Sequence, residues 1–195
     1  MNTTLLNTDD TTLIELAKQG DEPPFTELAR RYKQMIYNFS FNVCHNKDYA
    51  EEIVQDTFVN VFRKISQYNG EAKFSTWLYS IVVNNCQMHN RQSKLQLATI
   101  SVDEFDDGET ELDAYYETVM PSPEDEMISK EFQDAFDKAV LKLPIDYRLP
   151  FVLRDIEKVS SEEAAVALNI SVAALKSRLH RARLFMREEL KKFKP

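Results

Sequence analysis

The stretch "SSEEAAVALNISVAALKSRLHRARLFM", residues 160–186, holds two helical patterns separated by a three-residue break. Ser160 and Glu163 have the spacing of a capping box, in which each side chain satisfies a backbone N–H near the other, so a short helix is expected through Leu168. Asn169-Ile170-Ser171 interrupts it. In the second pattern, at 100° per residue, Val172, Leu175, Leu179, Ala182, Met186 and Leu190 share one face that must pack inward. The other side presents Ala173, Ser177, His180 and Arg181, flanked by Lys176 and Arg178. A short helix, a tight turn and a longer basic helix form the helix-turn-helix pattern, whose second helix enters the DNA major groove. Small residues at the front permit close approach to base edges, while Lys and Arg bond guanine acceptors or phosphates. The bland alternative is a solvated C-terminal helix whose cations complement the macrodipole. The capped helix and turn ahead of it weigh against that alternative.

This basic segment belongs to a chain of 195 residues with a net charge of −8. The charge is unevenly placed. Residues 98–129 hold eleven acids and no Lys or Arg; the rest of the chain sets 24 basic residues against 21 acidic ones. That segment also contains Gly108 and Pro121-Ser-Pro123, and reads as an acidic, largely irregular linker between two helical units. The expected organisation is therefore an N-terminal domain over 1–97, a linker over 98–122 and a helix-turn-helix domain over 123–195. Three glycines and little strand-like alternation point to an all-α fold and exclude glycine-rich phosphate loops.

Four helices are expected ahead of the linker. The first runs from about Asp10 to Ala17, stopped at Gly20, and the second starts near Pro23. The third follows a cap at Asp48 and puts Ala50, Ile53, Val54, Thr57, Phe58, Val61, Phe62 and Ile65 on one face. Its opposite face carries Asp48, Glu52, Gln55, Asp56 and Asn60, either an ordinary solvated surface or a docking face for a basic partner. The fourth starts at a cap on Ser75. There Phe74, Trp77 and Tyr79 mix with Lys73, Asn84, Asn85, His89 and Arg91, a combination suited to stacking on and bonding to unpaired bases, although Phe74 and Trp77 also suit a core. After the linker, a helix with Pro123 and three acids at its start ends at Pro144. The next tolerates Pro150 only by starting late, with Asp146 as its cap.

No run is long and apolar enough for a membrane span, and MNTTLLNTDDTTL lacks the flank and apolar stretch of a signal peptide, so a cytoplasmic location is expected. Cys44 and Cys86 suit a reducing compartment as buried hydrophobes. Cys44-His45 and Cys86-x-x-His89 make a poor chelating set, and no nucleophile–base motif is recognisable, so neither metal, cofactor nor enzymatic activity is expected.

Taken together, AEEIVQDTFVNVFRKI, FSTWLYSIVVNN and LPIDYRLPFVLRDIEKVSSEEAAVALNISVAALKSRLHRAR resemble, in order and spacing, the alternative sigma factors of the extracytoplasmic-function group. The resemblance implies two helical domains that bind core RNA polymerase and direct it to promoters. It places Glu52, Gln55, Asp56 and Asn60 on the helix that docks on the polymerase clamp. It places Lys73, Phe74, Trp77, Asn84 and Asn85 in the segment that opens and reads the minus-ten element, and Lys176, Ser177, Arg178, His180 and Arg181 on the helix that reads the minus-thirty-five element. It further implies an anti-sigma factor as partner, a monomer when free or inhibited, and a linker that threads toward the RNA exit path, where its acids would imitate nucleic acid. Val83 and Met88 depart from the residues common at their positions in relatives, as does His180, so base preference is not transferred. The competing reading is a free-standing dimeric helix-turn-helix regulator.

Overall fold

A computed structural model describes residues 3–96 and 130–193, with side chains described for 5–91 and 130–193. The linker expected over 98–122, and the Pro123 helix start, lie outside these residues. Among the described residues there is no strand. The N-terminal unit consists of α1 (Thr3–Leu6), α2 (Asp10–Lys18), α3 (Glu22–Cys44), α4 (Lys47–Lys64) and α5 (Phe74–Gln96). The C-terminal unit consists of α6 (Lys130–Lys142), α7 (Ile145–Phe151), a π turn (Val152–Ile156), α8 (Ser161–Leu168) and α9 (Val172–Glu189).

Each helix start has a local cause. The Asp9 carboxylate accepts from Thr12 N at 3.0 Å, relieving an otherwise unpaired donor at the start of α2. Gly20, at φ 94°, makes the left-handed turn after α2. Pro23 and Pro24 occupy the first turn of α3, where their missing N–H groups cost nothing. The cap of α4 is Asn46 and not Asp48: Asn46 is extended and its side chain accepts from Tyr49 N at 3.0 Å, which leaves Asp48 in the first turn against the positive end of the dipole. Helix α5 starts one residue before the expected cap, with Trp77 N donating to Lys73 O at 3.0 Å.

The N-terminal core is formed by Leu13, Ile36, Phe39, Val61, Leu78 and Val82, all essentially inaccessible. Each such side chain contributes about 1.5–3 kcal/mol by leaving water. One expected core residue is displaced: Phe62 sits at the edge of the α4 stripe and is 51% exposed.

In the C-terminal unit, α7 begins at Ile145 after the cap residue Pro144, so Asp146 lies in its first turn and is not its cap, and Pro150 lies inside the helix. The missing Pro150 N–H removes one helical bond, and the chain continues into the wider π turn, with Glu157 N donating to Val152 O at 2.9 Å. Ser160 and Glu163 form the capping box in both directions, Asn169 takes the left-handed conformation at φ 52°, and Ser171 caps α9. Leu175, Leu179, Ala182, Met186 and Leu190 are buried, as the spacing predicts. Arg183 grips the buried Asp155 with two bonds, at 2.8 and 3.0 Å, tying α9 to the π turn.

The units are in contact, with α8 lying against α5 and the π turn against α3. The guanidinium of Arg148 bridges them: it donates to Leu141 O and Leu143 O at the end of α6 and to Val43 O, at 3.0 Å, near the end of α3.

Candidate nucleic-acid interface

Because the apolar stripe of α9 faces inward, its opposite side is offered to solvent. Lys176 and Ser177 are exposed, and Arg178, His180 and Arg181 are half-buried. Arg178 and Arg181 line a cleft of about 330 Å³ with Pro144, Asp146, Tyr147, Ala174 and Ser177, where Arg181 Nη1 donates to the Tyr147 hydroxyl at 3.5 Å. The structure therefore brings all five expected reader residues to one side of the helix. Arg183, on the flank, is engaged by Asp155 and belongs to the framework.

The second candidate surface is the start of α5. Phe74 is only 6% exposed, with edge contacts to Tyr32 and Tyr68 at 5.3 Å each, and Trp77 stacks over it at 5.6 Å with an interplanar angle of 27°. Phe74 is thus the base of an aromatic cluster and Trp77 its half-exposed outer member. Tyr68, which sequence reasoning missed, closes the loop by donating its hydroxyl to Ala72 O at 2.7 Å. Lys73 is exposed and meets Glu163 of α8 at 2.8 Å.

The two neighbouring asparagines have different surroundings. Asn84 is exposed. Asn85 is 8% exposed; its Nδ2 donates to Thr57 Oγ1 at 2.9 Å and its Oδ1 accepts from Asn60 Nδ2 at 3.1 Å. An expected base reader and an expected docking residue are joined to each other across the α4–α5 seam.

On α4, Glu52, Gln55 and Asp56 are exposed beside an open apolar groove of about 900 Å³ between α3 and α4. Phe25 and Phe62 meet edge to face across it at 5.1 Å, and Val59 is 47% exposed. Of the docking residues named from sequence, Gln55 lines this groove, whose charged lining residues are Arg30, Lys33 and Arg63; its apolar floor is of the kind that marks a protein-binding surface. Glu52 also lies 3.5 Å from His89 Nε2.

Burial pushes the thiols of Cys44 and Cys86 up from their ordinary range, which disfavours the thiolate a metal would need. Among the described residues no group of three or more His, Cys, Asp or Glu is placed to hold a metal, and no helix is long and apolar enough to cross a membrane.

Two family models match the chain: Sigma-70 region 2 over residues 28–95 and Sigma-70 region 4 over residues 133–186. The chain is 33% identical to the ECF RNA polymerase sigma factor SigW of Bacillus subtilis (strain 168) over 180 residues, covering 91% of this chain and 95% of that protein. It is 28% identical to the ECF RNA polymerase sigma-E factor of Escherichia coli (strain K12) over 179 residues, covering 89% and 90%. Among solved structures, CnrH in complex with the cytosolic domain of CnrY has a TM-score of 0.61 at 23% identity, covering 94% of this chain and 97% of that one. RpoE in complex with the anti-sigma factor NepR from Bartonella quintana has a TM-score of 0.60 at 23% identity, covering 86% and 96%. These two share the fold.

Proposed function

The chain belongs to the ECF sigma factors of RNA polymerase, and from that premise we propose how its parts divide the work of promoter-directed initiation. It binds core RNA polymerase and directs it to promoters. The N-terminal domain, 1–97, docks on the polymerase clamp with Glu52, Gln55, Asp56 and Asn60, assisted by the Phe25–Phe62 groove. The same domain reads the minus-ten element. Once a base leaves the stack, Trp77, backed by Phe74, offers it a π-face, Asn84 offers an amide for its edge, and Lys73 holds the adjacent phosphate. Asn85 acts from behind by fixing α5 against α4. The C-terminal domain, 123–195, lays α9 in the major groove at the minus-thirty-five element. There Lys176, Ser177, Arg178, His180 and Arg181 meet base edges and phosphates.

The chain performs no catalysis itself and works in the cytoplasm as a monomer, without inserting into a membrane. An anti-sigma factor holds it inactive; among its structural neighbours, CnrH is in complex with the cytosolic domain of CnrY and RpoE with the anti-sigma factor NepR. The linker, 98–122, follows the path toward the RNA exit, its acids standing in for nucleic-acid charge; neutralising them changes promoter escape.

The observation that carries this reading is the disposition of α9: Lys176 and Ser177 are exposed and Arg178, His180 and Arg181 half-buried on one side, while Leu175, Leu179, Ala182 and Met186 are buried on the other. The test is transcription from a matched promoter with purified chain and core polymerase. Co-elution with core and specific initiation support it. A chain that ignores core and retards duplex DNA alone, as a dimer, is the free-standing regulator instead.

A further inference from the structure

The contact between the two units sets carboxylates of the C-terminal unit against donors of the N-terminal unit, among them Lys73, which the proposed function places at the minus-ten element. Lys73, at the start of α5, has its ammonium 2.8 Å from the Glu163 carboxylate of α8. Glu157, following the π turn, accepts from Asn42 Nδ2 at 2.9 Å and from the Tyr79 hydroxyl. It is half-buried, and burial raises its carboxyl from the ordinary range although both bonds oppose the shift. His45 Nδ1 lies 3.8 Å from Asp137, and Arg148 joins the end of α3 to that of α6. The C-terminal unit thus presents carboxylates to donors on the N-terminal unit, the arrangement a phosphate chain would also satisfy.

This packing is incompatible with simultaneous reading of both elements. From Glu163 to the outer face of α9 the chain path allows about 35 Å, so the second reader lies within about 45 Å of Lys73. The minus-ten and minus-thirty-five elements are about 25 base pairs apart, which is about 85 Å along a duplex. The units must separate, and the roughly 33 residues between the described parts can reach about 110 Å when extended.

We propose that Glu157 and Glu163 are an intramolecular stand-in for promoter phosphates, occupying Asn42, Tyr79 and Lys73 in the free chain and holding it closed until core polymerase and promoter strand displace them. The proposal rests on the reading of Lys73 as a minus-ten contact. In the free full chain, a zero-length carbodiimide couples Lys73 to Glu163, the amide being located by mass spectrometry; stoichiometric core polymerase depletes that product at least about fivefold. Glu157→Ala with Glu163→Gln, the glutamine preserving the capping box, gives a larger radius of gyration than the parent. The same variant binds a labelled twenty-nucleotide thymidine strand about fivefold more tightly at fixed salt. Glu131→Gln with Glu188→Ala removes the same charge from exposed positions on α6 and α9, away from the Lys73 contact, and changes that affinity less than twofold. The proposal is overturned if a parent that initiates normally gives no Lys73–Glu163 product, or if the two double variants bind the strand alike. A parent that neither co-elutes with core nor initiates overturns the promoter role, and the stand-in with it, whatever the cross-linking shows.

Discussion

Helices α4 and α9 are each 18 residues long and each buries one stripe, yet they offer different surfaces to the solvent. α4 leaves Val59 and Phe62 exposed beside Glu52, Gln55 and Asp56, whereas α9 exposes no large hydrophobic residue and carries Lys176, Ser177, Arg178 and Arg181 outward. Exposed apolar area gains by being covered and therefore calls for a protein surface. A polar, basic face without such area gains mainly through counterion release on a phosphate backbone. On the proposed reading, one chain separates its protein-facing and DNA-facing chemistry by what each helix leaves uncovered.

The contrast can be broken most severely at the framework of α9. Asp155→Ala removes the buried two-bond contact that ties Arg183 of α9 to the π turn and should cost about 3 kcal/mol or more, read as a lower denaturation midpoint of the C-terminal unit. Phe62→Glu tests α4: affinity for core polymerase should fall by about 2–4 kcal/mol in a competition assay, with the melting temperature nearly unchanged because the side chain is already half in water. A large loss of stability would instead make Phe62 a core residue. On α9, Lys176→Ala and Arg181→Ala should each weaken promoter use by about 1–3 kcal/mol; a phosphate contact also lowers the salt dependence by about one unit of slope, and a base contact relaxes specificity. Core affinity should be unaffected by either. The smallest effect separates adjacent residues: Asn85→Ala should lower stability by about 1–2 kcal/mol through the lost bonds to Thr57 and Asn60, while Asn84→Ala should leave the melting curve in place and reduce only promoter opening. Equal effects of the two substitutions on stability would place Asn84 in the framework as well.

The legible parts of this molecule were those set by short-range chemistry. The capping box at Ser160 and Glu163, the break at Asn169 and the inward stripe of α9 each depend on residues within a turn or two of one another, so periodicity and cap rules suffice. The same rules misplaced the α4 cap, because Asn46 and Asp48 both accept N–H bonds and only the extended backbone of Asn46 decides between them. A helical wheel places Phe62 inward because it gives an angle and no account of where the neighbouring helix stops covering it. Asn85 resembled a reader because burial depends on Thr57 and Asn60, 28 and 25 residues away. Arg148 escaped notice for the same reason: its partner at Val43 lies 105 residues earlier. Pro150 was a failure of a general rule, since a proline inside a helix is tolerated where the chain then widens into a π turn.

The two-pronged hold of Arg183 on Asp155 sets the angular phase of α9. A slip of one residue along that helix would turn the outer face by about 100° and bring Leu175 and Leu179 where Lys176 and His180 now stand. With the phase locked from behind, the exposed Lys176 and Ser177 at the front can be exchanged without retuning the scaffold.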